Sequence, residues 1–225
     1  MLAAPAAAFA LCVPPRPEQL RRRGAALRAD VDGDGRRDVV TIRADPRAPA
    51  SCGFYLDVAS GRRHLSVHVP ETGERPIARW PYADPYLVAV VRVGRGTQVV
   101  VSRWHGAASA FVSLYGIVGG ELRPLRFPAP IDRTLGLYGS VGTGVTHVRC
   151  RLGGPLTVAR VVALDPVGHR WRLERTEYRL ASSRFRVAHR ASLTYVEAQG
   201  TRVARREGLS APPFAGCVVV RGRDL

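Results

Sequence analysis

Four aspartates crowd into nine residues near the start of the chain, in the segment Asp30-Val-Asp-Gly-Asp-Gly-Arg-Arg-Asp38. They occupy relative positions 1, 3, 5 and 9, and a glycine stands at position 6. At a separation of about 5 Å, each pair of carboxylates costs roughly 0.8 kcal/mol even in a water-like dielectric. Such a cluster is most readily kept when a cation neutralises it, and calcium prefers hard oxygen ligands from a tight loop. The glycine permits the sharp turn that such a loop needs.

This loop differs from an EF-hand, which requires a bidentate glutamate at position 12 and a helix on each side. Position 12 is Thr41. The flanking segments, Ala25–Ala29 and Val39–Arg43, are partly alternating or rich in β-branched residues, and they predict strands. A calcium loop between two strands, with acids at positions 1, 3, 5 and 9, resembles the FG-GAP/VCBS repeat, a family known from integrin α-chain propellers and bacterial secreted proteins.

The resemblance implies one Ca²⁺ site in this loop and a set of ligands for it. These are the side chains of Asp30, Asp32, Asp34 and Asp38 and the backbone carbonyl of Arg36. The alternative is an acidic turn that binds no ion, because Asp-Gly-Asp-Gly is also favourable turn chemistry. The specific match is confined to the loop and its flanking strands.

Strand-like segments recur along the chain with a period of about 60 residues, as in arrays of sheet modules or propeller blades. Helical periodicity is nearly absent, and only Pro17–Arg23 predicts a short helical turn. The predicted strands fall into three units and a partial fourth. They are Ala25–Ala29, Val39–Arg43 and Phe54–Val58 in unit one, Leu87–Val91, Gln98–Ser102 and Phe111–Tyr115 in unit two, His147–Arg151, Pro155–Ala159 and Trp171–Arg175 in unit three, and Ser192–Val196 and Cys217–Val220 in the fourth.

The predicted fold is therefore all-β: a small propeller-like or sandwich array of about three to four antiparallel β units. Seven such blades would need roughly 400 residues, so this chain of 225 residues would close a small pseudo-propeller, form an open arc or fold as a sandwich. We place the repeat domain at residues 25–225. Calcium is expected in unit one alone, because unit two carries other residues at the four acidic positions, namely Val90, Arg92, Gly94 and Gln98.

The charge of the chain is strongly positive, with 34 arginines, no lysine and 18 acidic residues, for a net charge of +16. Without lysine, the P-loop, Schiff-base and kinase chemistries that need its amine are excluded. The arginine excess favours either a solvated surface or an anionic partner, such as a polymer or carbohydrate of the bacterial cell envelope. Nucleic acid is disfavoured as a partner, because the clusters Arg21–Arg23 and Arg202–Arg206 are not interleaved with aromatic side chains.

Residues 1–24 predict a signal-peptide remnant followed by a proline- and arginine-rich lead-in, with a small-x-small cleavage signal at Ala8–Ala10. We therefore expect the protein to be secreted or held at the cell envelope. An alternative is a lipoprotein acylated at Cys12, although Leu11 stands where a small residue is expected. No basic segment precedes the apolar stretch, which leaves open whether Met1 is the true start. No later apolar run has the length of a transmembrane span.

The four cysteines are far apart in the chain and include no Cys-x-x-Cys pair, so the sequence indicates neither a zinc site nor a redox motif. Export makes disulfides expected. Their connectivity stays open, with a preference for Cys150–Cys217 because both residues flank strand-like segments.

No catalytic constellation stands out in the sequence. His64 and His68 would chelate zinc on a helix, but Arg63–Val69 alternates like a strand, where that spacing separates the two histidines by about 13 Å. Gly136–Gly144 contains Ser140 but lacks the Gly-x-Ser-x-Gly elbow, and it predicts a flexible connection between strands. We expect a non-enzymatic structural or ligand-binding module. The alternatives are an accessory domain of a hydrolase or carbohydrate-processing enzyme, whose calcium loop supports a site elsewhere, and an inert structural remnant of a longer gene.

Overall fold

The computed structural model describes residues 16–48, 52–61, 63–70, 84–105, 109–140, 144–165, 167 and 169–223. The predicted cleavage signal and Cys12 lie outside the described residues. Within the described ranges the chain is all-β, with fourteen strands and one short α-helix. The strands are β1 Arg21–Ala29, β2 Asp38–Ala44, β3 Phe54–Ser60, β4 Arg63–His68, β5 Tyr86–Val93, β6 Gly96–His105, β7 Ser109–Val118, β8 Glu121–Pro124, β9 Leu135–Ser140, β10 Gly144–Cys150, β11 Leu156–Ala163, β12 Arg170–Ala181, β13 Arg184–Val196 and β14 Val218–Arg221, and the helix is α1 Gly200–Glu207.

The first four strands form a separate antiparallel sheet in the order β1-β2-β3-β4. The alternation of β2 and β3 places Val40, Ile42, Leu56 and Val58 in the core, as expected for strands with one face against the protein interior. β1 begins at Arg21, inside the predicted lead-in, and Arg43 of β2 donates a hydrogen bond of 3.0 Å to the carbonyl of Leu20. Arg21–Arg23, which the sequence predicted as part of a helical turn, therefore lie in β1. Pro17–Gln19 forms a 3-10 turn.

The other ten strands form one sheet in the order β13-β12-β11-β10-β9-β7-β6-β5-β14, with β8 paired to β7. One edge of β7 pairs with two strands. Ser109–Val112 pairs with β9, and Tyr115–Val118 pairs with β8. Neither sheet closes on itself. With β1–β4, the runs β5–β8 and β9–β13 give the described chain three antiparallel meanders, of four, four and five consecutive strands.

The meander β5–β8 is the middle layer, and it is buried on both faces. Val99 and Val101 belong to the apolar cluster shared with β1–β4. Val100, between them, belongs to the opposite cluster, which includes Leu156 and Val158 of β11. All three valines of β6 are fully buried. Strands with two buried faces carry continuous apolar runs instead of alternation, which explains the Val-Val-Val segment.

The helix α1 lies outside the predicted all-strand pattern. It packs against the outer face of β11–β13, where Val203 joins a small cluster with Ala159, Val161, Leu173 and Tyr195. It ends at Gly208, whose φ of 64° is the left-handed conformation that closes many helices. Sequence periodicity missed this helix because Val203 is the one apolar residue that it buries.

The strand pairing corrects the predicted fourth unit and the predicted glycine-rich connection. Ser192–Val196 is the end of β13, which pairs with β12, and β14 pairs with β5, so these segments extend the large sheet and do not form a fourth unit. Within the glycine-rich segment Gly136–Gly144, the residues up to Ser140 lie in β9, and Ser140 pairs with Gly144 of β10. For residues 136–140 the prediction of a flexible connection was wrong, because pairing on both sides holds β9 in the sheet; residues 141–143 lie outside the described residues.

A disulfide joins Cys150 at the end of β10 to Cys217, just before β14, with their Cα atoms 5.3 Å apart. This confirms the preferred pairing. Cys52 is also disulfide-bonded. The Cys150–Cys217 bond secures the C-terminal segment, whose β14 covers the edge of β5.

Candidate metal centre

The acidic loop connects β1 to β2, and its ends are held by the antiparallel pairing of Ala29 with Asp38. Two glycines give the loop its path, because Gly33 and Gly35 have φ values of 84° and 85°. Residues with a side chain rarely adopt this conformation, so the two glycines are required by the backbone. The loop returns on itself within a few residues and brings the aspartates toward one another.

Three of the four predicted carboxylates meet at this turn. Asp30, Asp32 and Asp38 each offer one oxygen, and the three oxygens lie within 4.8 Å of one another. Asp38 is buried, with 1% of its surface exposed, while Asp30 is partly buried and Asp32 exposed. The donors are hard anionic oxygens from a tight loop, which is the ligand chemistry that calcium prefers. The residues therefore fit the predicted ion.

Backbone N–H groups hold two of these carboxylates in place. Asp38 Oδ2 accepts hydrogen bonds from the N–H groups of Val31, at 2.8 Å, and Asp32, at 3.3 Å. Asp30 accepts from Gly33 at 2.7 Å and from Gly35 at 3.1 Å, one bond on each oxygen. An ionised carboxylate offers about four lone-pair positions, so these bonds orient the side chains and leave acceptor capacity for a cation.

Ser60, the last residue of β3, is a member of the site that the sequence did not reveal. Its hydroxyl donates a hydrogen bond of 2.6 Å to Asp32 Oδ2. This hydrogen bond is the largest cause of the lowered pKa of Asp32. Desolvation opposes the lowering, while hydrogen bonds from Asp34 and the positive charge of Arg63 add to it. Ser60 lies 28 residues from Asp32 in the sequence. Its role depends on the pairing of β2 with β3, which sets Ala59 beside Val39 and so places Ser60 next to the loop.

Asp34 and Arg36 occupy a different part of the loop. Asp34 is not a member of the group of three carboxylates. Its Oδ1 accepts a hydrogen bond of 2.7 Å from the backbone N–H of Arg36, an arrangement typical of an acidic turn. The roles of Asp34 and of the Arg36 carbonyl as ligands therefore stay predictions.

The loop also forms one wall of an open cleft of about 1020 Å³. The opposite walls are the β5–β6 turn, the β10–β11 turn and the end of β12. Two backbone hydrogen bonds join the first two of these turns, from Gly94 N–H to Gly154 O and from Gly153 N–H to Arg92 O, each 3.0 Å long. The β1–β2, β5–β6 and β10–β11 connections thus reach the same end of the molecule.

The two histidines of β4 have separate neighbours. His64 Nδ1 lies 3.7 Å from Asp57 Oδ2, and the ring of His68 packs against Tyr55 with 5.6 Å between ring centroids. Over the described ranges, neither histidine belongs to a group of three side chains close enough to hold a metal ion.

Comparison with models of protein families, with curated proteins and with solved structures gives no match. Among the described residues, no helix has both the length and the apolar character needed to cross a lipid bilayer.

Proposed function

We propose that the protein is an exported, non-enzymatic β-repeat module of the FG-GAP/VCBS type, stabilised by one calcium ion in the Asp30–Asp38 loop. The observation that carries the proposal is the meeting of three carboxylate oxygens within 4.8 Å, on Asp30, Asp32 and Asp38. Mutual repulsion opposes such an arrangement in the absence of a cation. Asp34 and the carbonyl of Arg36 complete the ligand set that the family resemblance implies.

The residues of the loop support a structural role for the ion. Calcium supplies the positive charge that converging carboxylates require. An ion held by Asp38 stabilises the start of β2, where this residue is buried. An ion held by Asp32 stabilises the end of β3, because the hydroxyl of Ser60 donates a hydrogen bond to Asp32. With millimolar external calcium and a dissociation constant of about 0.1 mM, the folded state gains about 1.4 kcal/mol. This is a useful fraction of a total stability of about 5–15 kcal/mol.

The repeat character of the proposal is supported by three antiparallel meanders, β1–β4, β5–β8 and β9–β13. Four-stranded antiparallel meanders are the units from which propellers are built, and the third meander carries one strand more. One connection from each meander, β1–β2, β5–β6 and β10–β11, contributes to the same cleft. We therefore favour a small propeller-like array of three units, in which unit one alone keeps its acidic loop.

An extracellular or envelope location fits the chemistry of the cysteines. Cys150 and Cys217 are bonded to each other, and Cys52 is disulfide-bonded as well. Disulfides persist in oxidising compartments and are rare in the cytosol. The net charge of +16 makes an anionic envelope polymer or carbohydrate the favoured partner, because a positive protein attracts polyanions.

Calorimetric titration of calcium into metal-stripped protein tests the calcium site. We expect one binding event in the wild-type protein and none in Asp38→Asn, because that change removes the most buried carboxylate of the group. Asp45→Asn is the matched control, since Asp45 Oδ1 also accepts a turn hydrogen bond, from the N–H of Arg47 at 2.9 Å. Binding that survives Asp38→Asn unchanged, or that is absent from the wild type, contradicts the proposal.

Asp34→Ala distinguishes the complete ligand set from the group of three. If Asp34 is a ligand, this variant melts at a lower temperature in calcium and no longer responds to a chelator. An unchanged chelator response removes Asp34 from the site and leaves the three converging carboxylates as its ligands.

A further inference from the structure

The cleft beside the acidic loop presents three arginines from separate places in the fold. Arg92 belongs to β5, Arg95 to the β5–β6 turn and Arg179 to β12, and all three side chains are exposed. Within the described part of the chain, none of the three forms an ion pair with a carboxylate. Elsewhere arginines do find such partners, as Arg172 does with Glu174 at 2.9 Å. The cleft therefore gathers three guanidinium groups that are not ion-paired within the described residues.

Two turns that line this cleft require glycine for their backbone conformation. Gly94 and Gly153 sit at the tips of these joined turns with φ values of 65° and 71°, which residues with a side chain rarely adopt. The hydrogen bonds between the turns fix the backbone of Arg92 and Gly94 relative to the β10–β11 turn. A backbone that is fixed before binding reduces the entropy lost on binding.

Beside the polar residues Thr97 and Gln98, the cleft is lined by aliphatic side chains, which we call its floor. Leu125 is 1% exposed there, and Ile117, Val118 and Leu180 are partly buried. Among the described residues that line the cleft none is aromatic, so they provide no stacking platform of the kind that sugars commonly use. A charged rim above an aliphatic floor suits a ligand that has an anionic end and an aliphatic body.

We infer that this cleft binds an organic oxyanion, whose phosphate or carboxylate group contacts Arg92, Arg95 and Arg179 and whose aliphatic part lies on the floor. Guanidinium groups match the geometry of both oxyanions. The inference rests on the ligand-binding part of the proposed function and not on its calcium ion.

The ion, where bound, strengthens the site. Asp30 and Asp32 line the same cleft, and their negative charges repel an anion. A divalent cation between them removes that repulsion, so calcium raises the affinity for the anion. By thermodynamic linkage, the anion raises the affinity for calcium by the same factor.

The test is calorimetric titration of hexyl phosphate, hexanoate and inorganic phosphate into calcium-stripped protein in a chelator-free buffer. We expect hexyl phosphate or hexanoate to bind more tightly than inorganic phosphate, because inorganic phosphate makes no contact with the floor. The stronger of the two identifies the preferred oxyanion. In the double variant Arg92→Gln/Arg95→Gln the affinity falls at least fivefold. The control is Arg186→Gln, which alters an exposed arginine of β13 outside the cleft. In this control the affinity for the anion changes less than twofold.

The inference is overturned if neither organic anion binds the wild-type protein, or if the control loses as much affinity as the double variant. Comparison of these titrations with the calcium titration of metal-stripped protein separates the two proposals. If hexanoate binds and calcium does not, the cleft stands and the metal site falls. If calcium binds and neither organic anion does, the metal site stands and the cleft inference falls.

Discussion

Ser60 donates a hydrogen bond of 2.6 Å to Asp32 across 28 residues of sequence, and it thereby ties the end of β3 to the acidic loop between β1 and β2. Ser60 is buried and Asp32 is exposed, so the bond runs from the packed sheet to a surface carboxylate.

Ser60→Ala should raise the pKa of Asp32 toward its ordinary value of 3.8, because the Ser60 hydrogen bond is the largest cause of the lowering. A lowered pKa in the folded state contributes stability above the ordinary value, and this contribution is lost as the pH falls through the folded-state pKa. The advantage of the wild type over Ser60→Ala should therefore shrink in acid. Carboxyl ¹³C titration by NMR of calcium-free protein measures the shift, and Ser66→Ala, on exposed β4, is the control. An identical Asp32 titration in wild type and Ser60→Ala contradicts the assignment.

Tyr115 should make the protein sensitive to alkaline pH. Burial raises the pKa of Tyr115 to about 12, and the charges of Arg103 and Arg133 oppose this rise. Because the folded-state value lies above the ordinary value of 10.0, its contribution to stability is complete below pH 10 and is lost as the pH rises toward 12. At about 1.4 kcal/mol per unit, the loss approaches 2–3 kcal/mol.

The measurement is urea unfolding of the wild type and of Tyr115→Phe from pH 8 to pH 11.5. Burial also raises the pKa values of Tyr55, Tyr178 and Tyr195, so both proteins should weaken in alkali. The phenylalanine variant should weaken less, and the gap should widen above pH 10. Parallel curves for the two proteins would show that Tyr115 does not carry the effect.

Glu207 should be essential for docking of α1. An acidic residue at the C-terminus of a helix opposes the helix dipole, but here the carboxylate meets three arginines. Its Oε2 lies 3.3 Å from Arg175 and 3.6 Å from Arg149, and its Oε1 lies 3.1 Å from Arg206. The side chain is largely buried, and removing one partner of a buried charge cluster costs about 3–5 kcal/mol.

Glu207→Gln should therefore lower the free energy of unfolding by about 3 kcal/mol, measured by urea denaturation. The matched control is Glu121→Gln, which breaks the exposed ion pair with Arg123 and should cost less than about 1 kcal/mol. Equal costs for the two substitutions would mean that the arginine cluster does not hold the helix.

The Cys150–Cys217 disulfide should dominate the stability of the C-terminal segment. It closes a loop of 67 residues, which corresponds to about 4 kcal/mol in the chain-entropy account. Cys150→Ala/Cys217→Ala should lose stability of this order. Amide hydrogen exchange should accelerate most in β14, which pairs only with β5 among the described strands. The reference is the exchange rate in β3, and equal acceleration there and in β14 would contradict a local role.

Much of this protein is determined by local sequence. The acidic loop, its glycines and the strands on either side follow from residue types and short spacings, because turn chemistry and β-propensity act over a few residues. The all-β class follows for the same reason. The Val-Val-Val run of β6 is the apolar pattern typical of a strand that is buried on both faces.

Tertiary structure alone decides which of these residues meet. The pairing of β14 with β5, the strand character of β9 and the burial of Glu207 depend on contacts between segments far apart in the chain. The same is true of Ser60, which joins the metal-binding group because β3 lies beside β2. Pairing partners are chosen by burial and register over the whole sheet, so no local pattern specifies them.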